Sequence, residues 1–465
     1  MPAEGRSPDP TQAREGLTAR RLTMSLPTPS ETVEKLQTSL QTKAKAEPSF
    51  RFYALWDKVY RKDVLTEAFA RCRANAGAAG VDGETFEQID ARGRERWLET
   101  LREELTLGRY VPRPLLRVWI PKSNGGQRPL GIPCIRDRVV QMSAVLIIGP
   151  IFESDLLPEQ YGFRPRLGAK MALRRVYWHV TQHGRREVVD ADLRDYFTSI
   201  PHSPLMRSLS RRLADGRLLH VIKGWLTAPV VGVIDGRPVR TTEARRTRRG
   251  TPQGGVISPL LANCYFRRFL LAWHGHGHRD ALDAHVVNYA DDFVICCRPG
   301  NASAAMARMT ALMTRLGLEV NTAKTRIARL PEEPFDFLGY TVGRLYGMGG
   351  RQYIGTQPSR KSVKSLLQRV HERTSSRWNS DEPQSTVASI SSLLRGWCAY
   401  FDQGAVLKTY KLIRHYTERR VRHWLMRRTG RGGAGLGQIP DEYLYHTLGL
   451  YAVPIRLTDL PRAKL

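Results

Sequence analysis

In the stretch Asn288-Tyr289-Ala290-Asp291-Asp292-Phe293-Val294-Ile295, two adjacent carboxylates interrupt an otherwise apolar run. Val286, Val287, Val294 and Ile295 favour a strand, so the acidic pair is expected at the tight turn of a β-hairpin. Neighbouring carboxylates at such a tip repel each other and cost stability. A divalent cation would remove the repulsion; a solvated turn, for which Asp is well suited, is the plainer reading. The choice turns on whether the chain supplies a third carboxylate and a surface for a polyanion.

Charge answers the second half of that question. The 465 residues carry 73 Lys and Arg against 44 Asp and Glu, a formal charge of +29. An excess of that size points to a polyanionic partner, because each phosphate neutralised releases counterions. Membrane binding is disfavoured: no amphipathic anchor, lipidation signal or long apolar run is visible. The six cysteines are scattered without a Cys-x-x-Cys pair, which argues for a reduced chain and a cytoplasmic location. The length suits two or three domains.

Residues 1–46 are polar and Pro/Ser/Thr-rich at first, then weakly helical from Glu31 to Lys45, so a largely disordered arm is expected, with folded structure from about Phe50. Leu116 to Ile120 reads as a strand that returns through Leu130 to Ile132, and the glycine-rich loop between them is flanked by Lys122 and Arg128. Such a loop can close over an anion or be simply a basic, solvated hairpin. Arg136 to Phe152 is an apolar helix. Glu187 to Asp192 is a buried strand that ends in acids, placing carboxylates at a sheet edge. The run Arg245-Arg246-Thr247-Arg248-Arg249 leads into Gly250-Thr251-Pro252-Gln253-Gly254-Gly255, where glycines allow close backbone approach and Gln253 offers a donor and an acceptor. Phosphate contact is the reading favoured for Arg248 and Arg249, over a merely solvated charge run. Residues 341–465 carry 21 Lys and Arg against 8 Asp and Glu and are read as a basic helical appendage, with Arg360, Lys361 and Lys364 on the face opposite Val363, Leu366, Leu367 and Val370.

Taken in order, PKSNGGQRPLGIPCIRDRVVQ (121–141), YGFRP (161–165), DADLRDYFTSIPH (190–202), GTPQGGVISPLLAN (250–263), YADDFVI (289–295), LGLEVNTAKTRI (316–327), FDFLGY (335–340) and LLRGWCAYF (393–401) resemble the reverse transcriptase and maturase proteins of bacterial group II introns. Each motif alone is weak; the ordered set is specific. The resemblance implies an α+β right-hand polymerase: fingers and a palm with an antiparallel sheet over 50–345, a helical thumb and maturase region over 346–430, and a tail over 431–465.

The resemblance also supplies the third carboxylate. Asp192 would join Asp291 and Asp292 in holding two Mg²⁺ ions, although Asp190 and Asp195 rival it on residue type. Phe197 would be the steric gate against a ribose 2′-hydroxyl, Lys122 and Arg128 would meet the dNTP triphosphate, Gln253 would lie near the nascent pair, and Lys324 near the pyrophosphate. The partners implied are intron RNA, an RNA template with a DNA primer, dNTPs and a DNA target. Arg420 and Arg427 join Arg360, Lys361 and Lys364 as expected RNA contacts.

Two departures bear on subfamily. Thr198 follows Phe197 where Asp is frequent, and Arg166 follows Pro165 where Gly-Arg is frequent. No bracing cysteine pairs follow Cys297, so endonuclease activity is not expected. A splicing factor with a vestigial polymerase site, and a host-captured reverse transcriptase acting in phage defence or beside CRISPR genes, are the alternatives to a working intron polymerase and maturase.

Overall fold

The computed structural model describes residues 30–121, 126–234, 237–240, 248–375, 382–428 and 439–456. Residues up to Gly168 with Val189–Arg326 form one compact unit; Ala169–Val188 with the chain from Ile327 onward form another. The strands are β1 (Leu115–Pro121), β2 (Gln127–Ile132), β3 (Glu187–Asp192), β4 (Val230–Ile234), β5 (Arg237–Arg240), β6 (Ala284–Tyr289), β7 (Asp292–Cys297), β8 (Arg326–Arg329), β9 (Phe335–Phe337), β10 (Tyr340–Tyr346) and β11 (Gln352–Pro358). They assemble as β2-β1-β4-β5, β6-β7-β3-β8 and β11-β10-β9. Helices and strands are mixed along the described residues.

In the first unit, β6 and β7 form an antiparallel hairpin in which Val287 faces Val294 and Tyr289 faces Asp292. Its apolar residues are buried because the Ser258–Gly275 helix, started by Pro259 in its first turn, lays Phe266 and Phe269 against Phe293, with ring centroids 5.3 and 5.8 Å apart. The Ile135–Glu153 helix is mostly apolar and correspondingly buried. Its buried Asp137 accepts from Tyr110 Oη at 2.6 Å and from Arg113 N at 3.0 Å, which satisfies a carboxylate that would otherwise be costly inside the core.

Two expectations change. The Glu31–Ala46 helix is part of the fold, not of a loose arm: Val33, Leu40 and Ala44 are buried and Gln37 donates to Leu146 O at 2.9 Å. Order therefore begins before Phe50, because a sparse stripe of three apolar residues suffices once the Ile135–Glu153 helix offers a matching surface. Residues 1–29 lie outside the described residues.

In the second unit, the chain from 346 does not enter a helix at once. β10 and β11 pair from Tyr340↔Pro358 to Tyr346↔Gln352, and helix begins only at Arg360. The helices Arg360–Arg373, Pro383–Tyr400 and Leu407–Arg428 follow. Gly339, at φ +81°, lies so close to Phe401 and Ser362 that an added Cβ would stand 3.1 Å from each, and Tyr400 Oη donates to Leu338 O at 2.9 Å. The FLGY and WCAYF motifs are thus two halves of one packing contact.

Candidate active site

The hairpin tip is narrower than the sequence suggests. Ala290 and Asp291 make the turn, while Asp292 already pairs as the first residue of β7. Ala290 has φ +61°, a left-handed conformation that needs support. Support comes from Asn288, fully buried, whose Nδ2 donates to Ala290 O at 2.8 Å. The segment before YGFRP straps the same strand: Asn288 N donates to Glu159 O and Tyr161 N to Asn288 O, both at 2.8 Å. Gly162 presses against the turn so tightly that a Cβ there would stand 2.3 Å from Ala290 N. Asn263 Nδ2 donates to Gly162 O at 2.7 Å, and Gln160 Nε2 to Asn263 O at 3.0 Å. Sequence reading missed Gln160, Asn263 and Asn288 as supports. They are ordinary polar residues in the sequence, and only their burial in the fold obliges each to find partners.

Asp192 ends β3, which lies beside β7. Its Oδ2 accepts from Asn321 Nδ2 at 2.8 Å and lies 3.4 Å from Lys324 Nζ. Its backbone is held as well, with Asn321 N donating to Asp192 O at 2.8 Å. The loop carrying Lys324 is therefore a cradle for the end of β3. Asp190 faces Arg326 at 3.6 Å. Asp195 sits at φ +46° ahead of Tyr196–Ser199.

Asp192, Asp291 and Asp292 lie within electrostatic reach of one another. The Asp292 carboxyl is pushed up to about 6, first by loss of hydration, then by Asp291, Asp192 and Asp190, with Lys324 opposing. The Asp292 side chain is nonetheless exposed, so water damps the effect. Among the described residues, no three His, Cys, Asp or Glu side chains close to metal-ligating separation. The trio is a shared neighbourhood, with Asp192 held by Asn321 and Lys324. Its donor chemistry suits a hard divalent cation: carboxylate oxygens, and a surplus of negative charge that raises the Asp292 pKa.

Phe197 is half-buried, and Phe163, 53% exposed, meets it edge-on with centroids 6.4 Å apart. Thr251 N donates to Phe197 O at 2.7 Å and Gly250 N to Ile200 O at 2.8 Å. This docks the glycine-rich loop on the Phe197 segment. Gly254, at φ +109°, packs where a Cβ would stand 2.7 Å from Gly131 O, and Gly131 N donates to Gln253 O at 2.7 Å. Gln253 is thereby tied to β2, and its Oε1 is buried without a hydrogen-bond partner. Arg128 is exposed on β2; Lys122 and its loop to 125 lie outside the described residues.

Of the basic residues, Arg248 and Arg249 are exposed, Arg249 donating to Gly317 O at 3.0 Å. Arg245 to Thr247 lie outside the described residues. In the second unit Arg360, Lys361, Lys364 and Arg427 are exposed. Arg420 is half-buried: it donates to Thr374 Oγ1 at 3.1 Å and to Thr374 O at 3.2 Å, closing the end of the Arg360–Arg373 helix. No helix among the described residues is long and apolar enough to cross a membrane.

Residues 120–342 match the family model for reverse transcriptase (RNA-dependent DNA polymerase), and residues 363–439 match that of the group II intron maturase-specific domain. Protein YkfC of Escherichia coli is 33% identical over 366 residues, 71% of this chain and 93% of that protein. The group II intron-encoded protein LtrA of Lactococcus lactis is 29% identical over 217 residues, 46% of this chain and 34% of LtrA. The putative COX1/OXI3 intron 1 protein of Saccharomyces cerevisiae is 23% identical over 439 residues, 77% of this chain and 50% of that protein. The two intron proteins thus extend well beyond what this chain spans. With a polymerase module followed by a maturase module, the chain belongs to the group II intron-encoded reverse transcriptases and is an RNA-directed DNA polymerase.

Proposed function

We propose that the chain copies RNA into DNA at the edge formed by Asp192, Asp291 and Asp292, and that its basic maturase module holds the intron RNA for splicing and mobility. The placing of Asp192, at the end of β3, beside the β6–β7 tip that carries Asp291 and Asp292 is the observation that carries the first half. Asp192, Asp291 and Asp292 would hold two Mg²⁺ ions, which when bound supply activation of the primer 3′-hydroxyl and charge neutralisation on the triphosphate.

The chain's own residues do the rest. The 157–164 strap and Asn288 fix the acidic tip, so that little reorganisation accompanies reaction. Phe197, steadied by Phe163, excludes a 2′-hydroxyl and so selects dNTPs. Gln253, with an unsatisfied buried acceptor, positions the incoming nucleotide. Arg128, joined by Lys122, neutralises the triphosphate. Lys324 compensates Asp192 and stands ready to give a proton to the departing pyrophosphate. Arg360, Lys361, Lys364 and Arg427, with Arg248 and Arg249, supply the phosphate contacts; Arg420 is left out, being committed to Thr374.

Primer extension on an RNA template, with and without Mg²⁺, tests the site. Activity that persists in Asp192→Ala or Asp291→Ala would sink the metal assignment, and splicing without extension would favour a vestigial polymerase.

A further inference from the structure

A cavity of about 520 Å³ lies in the first unit, against the Ser258–Gly275 helix and the C-terminal ends of the Ile135–Glu153, His202–Ser210 and Ala302–Arg315 helices. No residue assigned above to polymerisation lines it. Arg211, Arg212, Arg267, Arg268 and Arg315 do, against one carboxylate, Asp155. Arg212 is already committed: it lies 3.2 Å from Asp155 and donates to the carbonyls of Ala44, Glu47 and Phe50. Arg267 donates to Asp155 O at 2.6 Å.

The remaining three differ. Arg211 and Arg315 are exposed and, like Arg268, have no carboxylate partner among the described residues. Arg268 gives one N–H to Ser208 Oγ at 3.1 Å, yet its Nε is buried with no hydrogen-bond partner. Guanidinium groups gathered in a concavity repel one another and focus a positive field. Their planar forks match phosphate oxygens two at a time. The volume is that of a small-molecule site, and Leu156, Leu271 and Leu316 give it an apolar side suited to a base or sugar.

We propose that this cavity is a second nucleotide site, separate from the polymerase centre, which takes the phosphate groups of a nucleotide, either free or at the 5′ end of an RNA strand. The test is equilibrium binding to the full chain in EDTA, which disables cation-dependent triphosphate binding at the carboxylates. The probes are ATP, inorganic tripolyphosphate, and one short RNA with a 5′-phosphate or a 5′-hydroxyl.

Arg211→Gln with Arg315→Gln, both at exposed positions, should weaken phosphate-probe binding about tenfold or more and leave primer extension unchanged. Arg268→Gln should do the same through the buried donor. Preference for ATP assigns a free nucleotide; preference for 5′-phosphorylated RNA over its 5′-hydroxyl twin assigns an RNA end. Equal affinity of wild type and double variant for every probe overturns the proposal, as does failure of all probes to bind the wild-type chain.

Discussion

Like charges gather at the β6–β7 tip and along the Arg360–Arg373 and Leu407–Arg428 helices, and in these two places they are held in opposite ways. At the tip, a few carboxylates are fixed by specific short contacts: Asn288 on Ala290, Gly162 against the turn, Asn321 and Lys324 on Asp192. Along the helices, cations such as Lys361 and Lys364 stand in solvent, while Arg420 and Arg422 are drawn into bonds with Thr374 and Ile439 O. Rigid support suits chemistry at a point, where small misplacement is costly; exposed, separable charges suit a long polyanion read by its field.

Breaking the tip should have the largest effect. Asp292→Asn is expected to lower primer-extension kcat by on the order of 10³-fold, since several kcal/mol of transition-state stabilisation go with a metal-holding carboxylate. Gly162→Ala leaves every carboxylate in place but drives a methyl into Ala290 N; kcat should fall roughly 10²-fold, with stability lower by about 1–3 kcal/mol in chemical denaturation. If Gly162→Ala extends primers normally, rigid support is not what distinguishes the tip.

On the helices, Arg360→Gln, Lys361→Gln and Lys364→Gln together should weaken RNA binding and reduce the slope of log K against log salt by about three, with each single variant giving about a third of that. A loss confined to one of the three would mean a point contact, and the contrast would fail. Arg420→Gln should leave that slope unchanged and lower stability by about 1 kcal/mol through loss of its bonds to Thr374.

The smallest effect concerns pH. The Asp292 carboxyl is raised to about 6 in the folded chain, so the folded state holds the proton more tightly than the unfolded one. Its contribution to stability is therefore favourable at low pH and is lost as pH rises through about 6. Without divalent cations, Asp292→Asn should melt higher than wild type above pH 6, and the gap should close in acid. A gap of the opposite sign would show that Lys324, not its carboxylate neighbours, dominates this aspartate.

Strands whose burial is local were legible: β3, β6 and β7 are short apolar runs broken by acids, and the amino-acid pattern sets their type, although it put Asp292 in the turn where the structure has it paired in β7, and left Asp192 level with Asp190 and Asp195. β10 and β11 were not, because Leu345, Tyr346, Tyr353 and Ile354 alternate only weakly and their neighbours read as the start of a basic helix. The strap was illegible for another reason. Gln160, Asn263 and Asn288 are ordinary polar residues until the fold buries them together, and nothing local records that meeting. Arg420 looked like Arg427 in sequence; only the closeness of Thr374 separates them.

The cradle around Asp192 has a consequence for how the chain acquires its activity. Asn321 and Lys324 reach back 129 and 132 positions to a carboxylate made long before them. Contacts of such separation form late, after the intervening chain has been closed into a loop. During synthesis, the acids of β3 and the β6–β7 tip emerge and can pair as strands while Asp192 is still unrestrained. The support of Asp192 is therefore completed only when residues 321–325 arrive.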